Sequence, residues 1–449
     1  MITCEINPDY SSVPGSARPE VLYLVHRFPF PPNKGDRIRT FNIIRHLSTR
    51  VRLSVATLSD EPVARSELQV LSRFCHRLEV IPLGSQRRHI SGLKSLLAGG
   101  SISAGMFSSP GMTQVIRNWC RQVRFDEVLL SSSSMLPCLR APELAEIPAV
   151  ADLIDVDSQK WQDYAEHTAG VRRWLYQLES RRLGALEVRP PGNVRAVTLV
   201  SQAEADLYRA VCRQHQQPVM SLRASSVRAE SASPSVHAIP NGVDLEYFSP
   251  APPATESNCV FVGAMDYRPN INGVLWFCRE VFPILRRRHP QAKFQIVGRN
   301  PHRQVQKLGQ LPGVEVTGSV PDVRPWVARA SAVVAPLQIA RGLQNKVIEA
   351  MAMAKPVIGT PEALTGLSVR SGEHILEASE PHEFAAAIER CFSDSVLCRQ
   401  LGQSARRYTE QHHDWSRNLS GLSQLLMAGN WEAGVQSSSA AEEVALTDA

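Results

Sequence analysis

The residues best suited to do chemistry lie in one run, Ala340-Arg341-Gly342-Leu343-Gln344-Asn345-Lys346-Val347-Ile348-Glu349, which leaves an apolar stretch ending at Leu337 and passes through a glycine into a helical pattern. A strand-to-helix turn of this kind presents unpaired backbone N–H groups and the positive end of a helix dipole, and so forms a cradle for a diphosphate. Lys346 adds a point charge to that cradle. Glu349, one turn further in, is spaced to accept hydrogen bonds from two ribose hydroxyls. Taken alone, the stretch is equally an ordinary amphipathic helix.

Two further groups carry chemical potential. The loop Pro29 to Arg37 follows an apolar run and precedes a helix reaching about Leu47, with Phe41, Ile44 and Leu47 inward. Gly35 lets the backbone approach a ligand closely, and Arg37 at the helix start is placed to meet phosphate; a solvated turn that merely starts the helix is the alternative. Asp155-Val156-Asp157 has the spacing of a cation-holding carboxylate pair, and also of a strand-end Asx turn. The thirteen histidines show neither H-x-x-x-H nor H-E-x-x-H spacing, and the nine cysteines are never spaced C-x-x-C, so neither a zinc site nor a disulfide framework is expected.

The elements that must position these groups alternate. Short apolar runs at 21–25, 51–57, 78–83, 126–130, 149–154 and 196–200 are separated by stretches of helical period, and a second series runs through 259–263, 293–297, 314–317, 332–337 and 357–359. This is the pattern of parallel sheets covered by helices, an α/β chain with two doubly wound, Rossmann-like domains. Between the first two runs of the second series, Ile271, Val274, Leu275, Cys278, Val281, Phe282 and Leu285 lay one apolar stripe along a helix. The proline-rich segment 249–255 reads as the linker, giving a flexible start to residue 18, a first domain over 19–250, a second over 251–408, a returning helix over 409–428 and a disordered tail from 429 to 449. Residues 214–235, polar and without apolar period, read as a mobile insertion.

Composition narrows the function classes. Hydrophobic residues make up 43% and charged residues 20%, which excludes a fibrous or wholly disordered chain. No window is apolar enough to span a membrane and the start lacks a signal core, so a cytoplasmic protein is expected. The net charge of +6 is spread in short arginine clusters without interleaved aromatics, which argues against nucleic acid as a partner. It is compatible with solvated helix faces or with peripheral contact at an anionic membrane, and the apolar residues near Trp174, Leu175 and Tyr176 fit the second reading.

The run from Ala340 to Ile358 resembles the donor-binding motif of the family 4 retaining glycosyltransferases, in which two glutamates eight positions apart precede an A-M-A-x-G-K-P-V-like sequence. The second glutamate matches Glu349; the first falls on Arg341, a departure at the position that commonly touches the donor sugar. The resemblance extends from about Val21 to Met427. Ile239-Pro240-Asn241-Gly242-Val243-Asp244 matches the end of the family's first domain, and Phe261 to Asn270 the first strand and loop of its second. It implies that Arg268, Lys346 and the helix start at Gly342 stabilise charge on the leaving diphosphate, that Gly298, Arg299 and Val320 lie in cleft loops, with Val320 in the base-reading one, and that Gly342, Leu343 and Asn345 are among the substrate-binding residues. With His26 to Arg37, the motifs resemble the subgroup associated with exosortase and exopolysaccharide systems.

The implied fold is GT-B, two Rossmann-like domains facing across a cleft. The implied reaction moves a sugar from a nucleotide diphosphate to a saccharide or lipid-linked acceptor, with retention, no metal and no resident cofactor; the expected compartment is the cytoplasm, with peripheral contact at the cytoplasmic face of the inner membrane as a further option. Asp155 and Asp157 would then line the acceptor side. Ser131 to Ser134 stand where many relatives carry a cleft histidine, so no catalytic base is assigned. A sugar-nucleotide epimerase of the same fold and a non-catalytic sugar-nucleotide-binding protein are the alternatives.

Overall fold

The computed structural model describes residues 2–4, 18–216, 233–250, 257–340 and 342–427. They form two compact units: the first comprises Met1–Ile239 with Leu419–Ala449, the second Pro240–Asn418. Arg341, residues 251–256 with most of the expected linker 249–255, the core of the expected insertion and the tail from 428 onward lie outside the described residues.

Unit 1 is built on an eight-stranded sheet: β1 (Ile2–Cys4), β2 (Glu20–Val25), β3 (Arg52–Ser59), β4 (Arg77–Pro82), β5 (Glu127–Ser131), β6 (Pro148–Ile154), β7 (Asn193–Leu199) and β8 (Ser235–Ala238). Their spatial order is β1-β4-β3-β2-β5-β6-β7-β8, and all pair in parallel except β1, which runs antiparallel to β4. Unit 2 carries β9 (Asn258–Val262), β10 (Lys293–Val297), β11 (Val314–Gly318), β12 (Ala332–Ala335), β13 (Val357–Gly359) and β14 (Leu376–Glu377) in the order β11-β10-β9-β12-β13-β14, all parallel. Without its edge strands β1 and β8 the first sheet, and as it stands the second, has the 3-2-1-4-5-6 order of a doubly wound fold, whose ligands bind outside the carboxyl ends of the strands where the order reverses. In unit 2 that point lies between β9 and β12, beside the helix Asn345–Ala352.

Central strands are apolar on both faces because helices cover both: Val21 to Val25 are fully buried, as are Cys259, Val260 and Phe261. The apolar stripe from Ile271 to Leu285 does not form one helix. Arg268–Trp276 is α-helical, Phe277–Val281 opens into a π turn, and Phe282–Arg288 resumes the α-helix. Pro283 has no N–H to offer the Arg279 carbonyl, so the ladder widens just ahead of it. Phe277, Val281, Phe282 and Leu285 nevertheless all reach the core. In the first unit Phe41 is half-buried against the rings of Phe30 and Phe74, and Ile43 takes the inward place beside Ile44 and Leu47.

The last helix, Trp415–Met427, closes unit 1 from its far end of sequence. Leu419 and Leu422 are fully buried, Arg195 forks onto Glu127 at 2.9 and 3.0 Å and also reaches the Leu425 carbonyl, and His46 Nε2 lies 2.9 Å from Ser423 Oγ. Burial, helped by the Arg50 charge, depresses the His46 imidazole from 6.5 to about 4. The unfolded chain takes up that proton and the folded chain resists it. The contribution is therefore complete above pH 6.5 and is lost as pH falls toward 4. Thermal melts between pH 7.5 and 4 should show the melting temperature of His46→Gln falling less steeply through this window than that of the parent; parallel curves would remove His46 from the acid response.

Candidate functional site

Three loops at the carboxyl ends of β9, β10 and β11 are hydrogen-bonded to one another in unit 2. Gly263 N donates to Val297 O at 3.0 Å, Gly298 N to Gly318 O at 3.2 Å and Met265 N to Arg299 O at 2.9 Å. The approach is close enough that a Cβ on Gly298 would stand 1.7 Å from the Gly263 carbonyl oxygen, so no other residue fits there. Arg299 keeps a shielded Nη2 with no hydrogen-bond partner among the described residues. Val320 packs at the edge of the core, while Arg268 is exposed at the first position of its helix.

Beside these loops the chain turns through Gly342, at φ +63°, into the helix Asn345–Ala352. Leu343 is buried under the turn. Asn345, the first helical residue, accepts from Asn241 Nδ2 at 3.2 Å and retains a shielded Nδ2 with no hydrogen-bond partner among the described residues. Lys346 Nζ donates to Asn270 Oδ1 at 2.7 Å and lies 4.9 Å from the centre of the Phe261 ring. Asn270 is itself buried and donates to Ala264 O at 2.9 Å, so it ties the lysine to the loop after β9. Burial depresses the Lys346 ammonium to about 8 against the pull of Glu349, and burial lifts the Glu349 carboxyl to about 7 against the pull of Lys346. A cation and an acid that both titrate near neutrality thus stand one turn apart at a helix N-terminus. Such a pair suits the binding of phosphate and hydroxyl groups.

Asn270 and Asn241 were not singled out by sequence reasoning as site residues. Asn270 carries a signal in its position within Arg268-Pro269-Asn270, an amide in the first turn of a helix that opens at a strand end. Asn241 carries none without the fold.

In unit 1 Gly35 opens the helix Gly35–Ser48, and Arg37 is buried with its Nη2 donating to Glu61 Oε2 at 2.8 Å. The guanidinium assigned to phosphate is thus engaged by a carboxylate. Asp36 accepts from Arg27 at 3.1 Å and lies 3.3 Å from His26 Nε2. Burial works to raise its carboxyl, but His26 and Arg27 outweigh that and hold it well below the usual range.

Asp155 follows β6 and Asp157 opens the helix Asp157–Glu166. Asp157 accepts from Ser133 Oγ at 2.8 Å, whereas Asp155 Oδ1 is shielded and has no hydrogen-bond partner among the described residues. Burial, reinforced by Glu204, raises Asp155 to about 7, and burial, reinforced by Asp157, raises Glu187 to about 8. The doublet therefore belongs to an acidic cluster with Glu187 and Glu204, whose members come from distant helices. Among the described residues no group of three or more His, Cys, Asp or Glu side chains is arranged to hold a metal ion.

The two doubly wound α/β units give the chain the GT-B fold. The more particular finding is that residues 256–394 match the family model described as "Glycosyl transferases group 1" and so carry a group 1 glycosyl transferase domain. Sucrose-phosphate synthase from Thermosynechococcus elongatus superposes with a TM-score of 0.65 at 17% identity, over 90% of this chain and 98% of that one. Anabaena HepE in complex with UDP-glucose gives 0.63 at 16%, over 91% and 99%. The E. coli trehalose-6-phosphate structure bound with UDP-2-fluoro glucose gives 0.59 at 12%, also over 91% and 99%. Identities this low establish shared architecture alone. No curated protein matches the chain in sequence at a significant level.

Proposed function

We propose that this protein transfers a sugar from a nucleotide diphosphate to a saccharide or lipid-linked acceptor, with retention of configuration, in exopolysaccharide or cell-surface glycan synthesis. The observation that carries the donor reading is Lys346 tied to Asn270 one turn from Glu349, at a helix start in the group 1 domain. Backbone N–H groups of the Gly342 turn and Lys346 would take the diphosphate, Glu349 the ribose, and the loops at Gly298, Arg299 and Val320 the rest of the nucleotide. Arg268, exposed at its helix start, would add a second charge. No resident metal or cofactor enters the proposal. Asp155 and Asp157 are assigned to the acceptor, and the cytoplasm is the proposed compartment. Uridine donors are the first to try, because structural neighbours were solved with UDP-glucose and UDP-2-fluoro glucose.

The test is incubation of the full chain with a panel of UDP and GDP sugars. Transfer or slow donor hydrolysis supports the proposal, an epimerised donor identifies an isomerase, and binding without turnover identifies a sugar-nucleotide-binding protein. Glu349 supplies a sharper handle. Ionised Glu349 accepts from ribose above about pH 7 and cationic Lys346 faces phosphate below about pH 8, so affinity for UDP should peak between these values. Losing a charge-assisted hydrogen bond costs about 1.5 to 3 kcal/mol. Calorimetry should accordingly show Glu349→Gln binding UDP roughly ten to a hundredfold more weakly, with the rise near pH 7 abolished; an unchanged affinity in the folded variant would remove Glu349 from the nucleotide site.

A further inference from the structure

Nine large apolar side chains are prominently exposed among the described residues, and five of them sit on two helices of unit 1: Ile90, Leu93 and Leu97 on Ser85–Leu97, and Val171 and Trp174 on Gly170–Val188. The first helix is inverted relative to an ordinary surface helix. Its inward face is made of small residues: a Cβ on Gly92 would stand 2.8 Å from Met106 Cγ, and one on Gly105 would stand 2.3 Å from Ser95 Cβ. The backbones of 85–97 and 102–106 therefore pack at contact distance. The large aliphatic side chains, spaced three and four apart on one stripe, are turned to water, with Leu97 80% exposed.

The second helix is fixed to the same region. Glu179 accepts from Ser101 Oγ, Ile102 N and Ser103 N at 2.6 to 2.8 Å, and Arg182 Nη1 donates to the carbonyls of Leu96 and Gly100 at 2.8 and 3.1 Å. Val171 and Trp174 lie at its amino-terminal end, 82% and 61% exposed. Leu175 and Tyr176, grouped with Trp174 by sequence, are only half-exposed; the Tyr176 ring lies 5.4 Å from Trp161.

Charge decides what covers these side chains. From Val80 to Phe125 the chain has no Asp or Glu and six Arg or Lys residues. Arg88 is taken up by Asp60 at 2.9 Å, while Arg87 and Lys94 are exposed on the helix that carries the aliphatic stripe, and Arg172 and Arg173 are exposed between Val171 and Trp174. A second copy docking through this face would bring like charges together. An anionic bilayer offers the opposite charge at its surface and an apolar layer just beneath.

We infer that unit 1 docks on anionic phospholipid through Ile90, Leu93, Leu97, Val171 and Trp174, with Arg87, Lys94, Arg172 and Arg173 at headgroup level. Co-sedimentation of the full chain with vesicles of phosphatidylglycerol and phosphatidylcholine (3:7) should give a partition coefficient about tenfold or more above that for phosphatidylcholine alone, falling with added salt. The triple variant Ile90→Ser, Leu93→Ser, Leu97→Ser should lose about tenfold or more in partitioning while keeping its melting temperature, since the altered side chains are exposed. Val396→Ser, an exposed apolar position of unit 2, should partition like the parent. Equal partitioning of the triple variant, absence of any preference for anionic vesicles, or a dimer that the triple variant dissociates in place of vesicle binding would each overturn the inference.

Discussion

Replacing Lys346 by alanine should reduce kcat/KM for donor turnover by about 10²- to 10³-fold, the usual cost of deleting one preorganised group that meets charge developing on a leaving atom. As the bond between sugar and diphosphate breaks, negative charge grows on the phosphate oxygens. A cation already desolvated, and held by Asn270 Oδ1 at 2.7 Å, needs no reorganisation to meet it. The charge is larger in the transition state than in the bound donor, so turnover should fall more than UDP affinity does. Steady-state hydrolysis or transfer assays beside UDP calorimetry measure the two effects separately. Turnover within threefold of the parent would exclude Lys346 from the chemistry.

The largest expected effect on stability lies in unit 1. Arg39 and Asp152 are both fully buried and form a two-pronged ion pair, Nε to Oδ2 at 2.8 Å and Nη2 to Oδ1 at 2.6 Å. Arg39 also donates to Ile239 O at 2.8 Å, and Thr198 Oγ1 donates to Asp152 at 2.7 Å. Arg39→Met would leave the Asp152 carboxylate in the core with one hydroxyl as donor, and breaking a buried pair from one side typically costs about 3 to 5 kcal/mol. Urea unfolding followed by tryptophan fluorescence should show this loss for Arg39→Met. The double variant Arg39→Met, Asp152→Leu should recover part of it, because no charge is then stranded. A single-variant loss below about 1 kcal/mol would mean that the pair contributes no more than a surface contact.

The sequence made the sheets legible wherever burial on both faces writes a continuous apolar run. The expected strands at 293–297 and 357–359 coincide with β10 and β13 to the residue. It hid β8, because Ser235-Val236-His237-Ala238 is a partly exposed edge strand without an apolar signature. The strand-to-helix turn expected before Glu349 is present, with a positive φ at Gly342 and a helix start at Asn345, while the phosphate it is assigned stays a proposal. Arg39 escaped notice because an arginine between Ile38 and Thr40 reads as a solvent-facing position; only the fold brings it a carboxylate from 113 residues away. The acidic cluster around Asp155 was half visible for the same reason. Glu187 and Glu204 join it through tertiary packing, and sequence spacing carries no trace of that.

The division of unit 1 into Met1–Ile239 and Leu419–Ala449 bears on the order in which the chain is made. Every residue of unit 2 has been added to the chain before Leu419, Leu422 and Ser423 exist. The first unit, though synthesised first, must wait with the ground beneath its last helix uncovered, His46 included. The second unit can complete its own sheet during that interval. Translation thus lets unit 2 fold while unit 1 is still one helix short, and the docking of Leu419 and Leu422 closes unit 1 last.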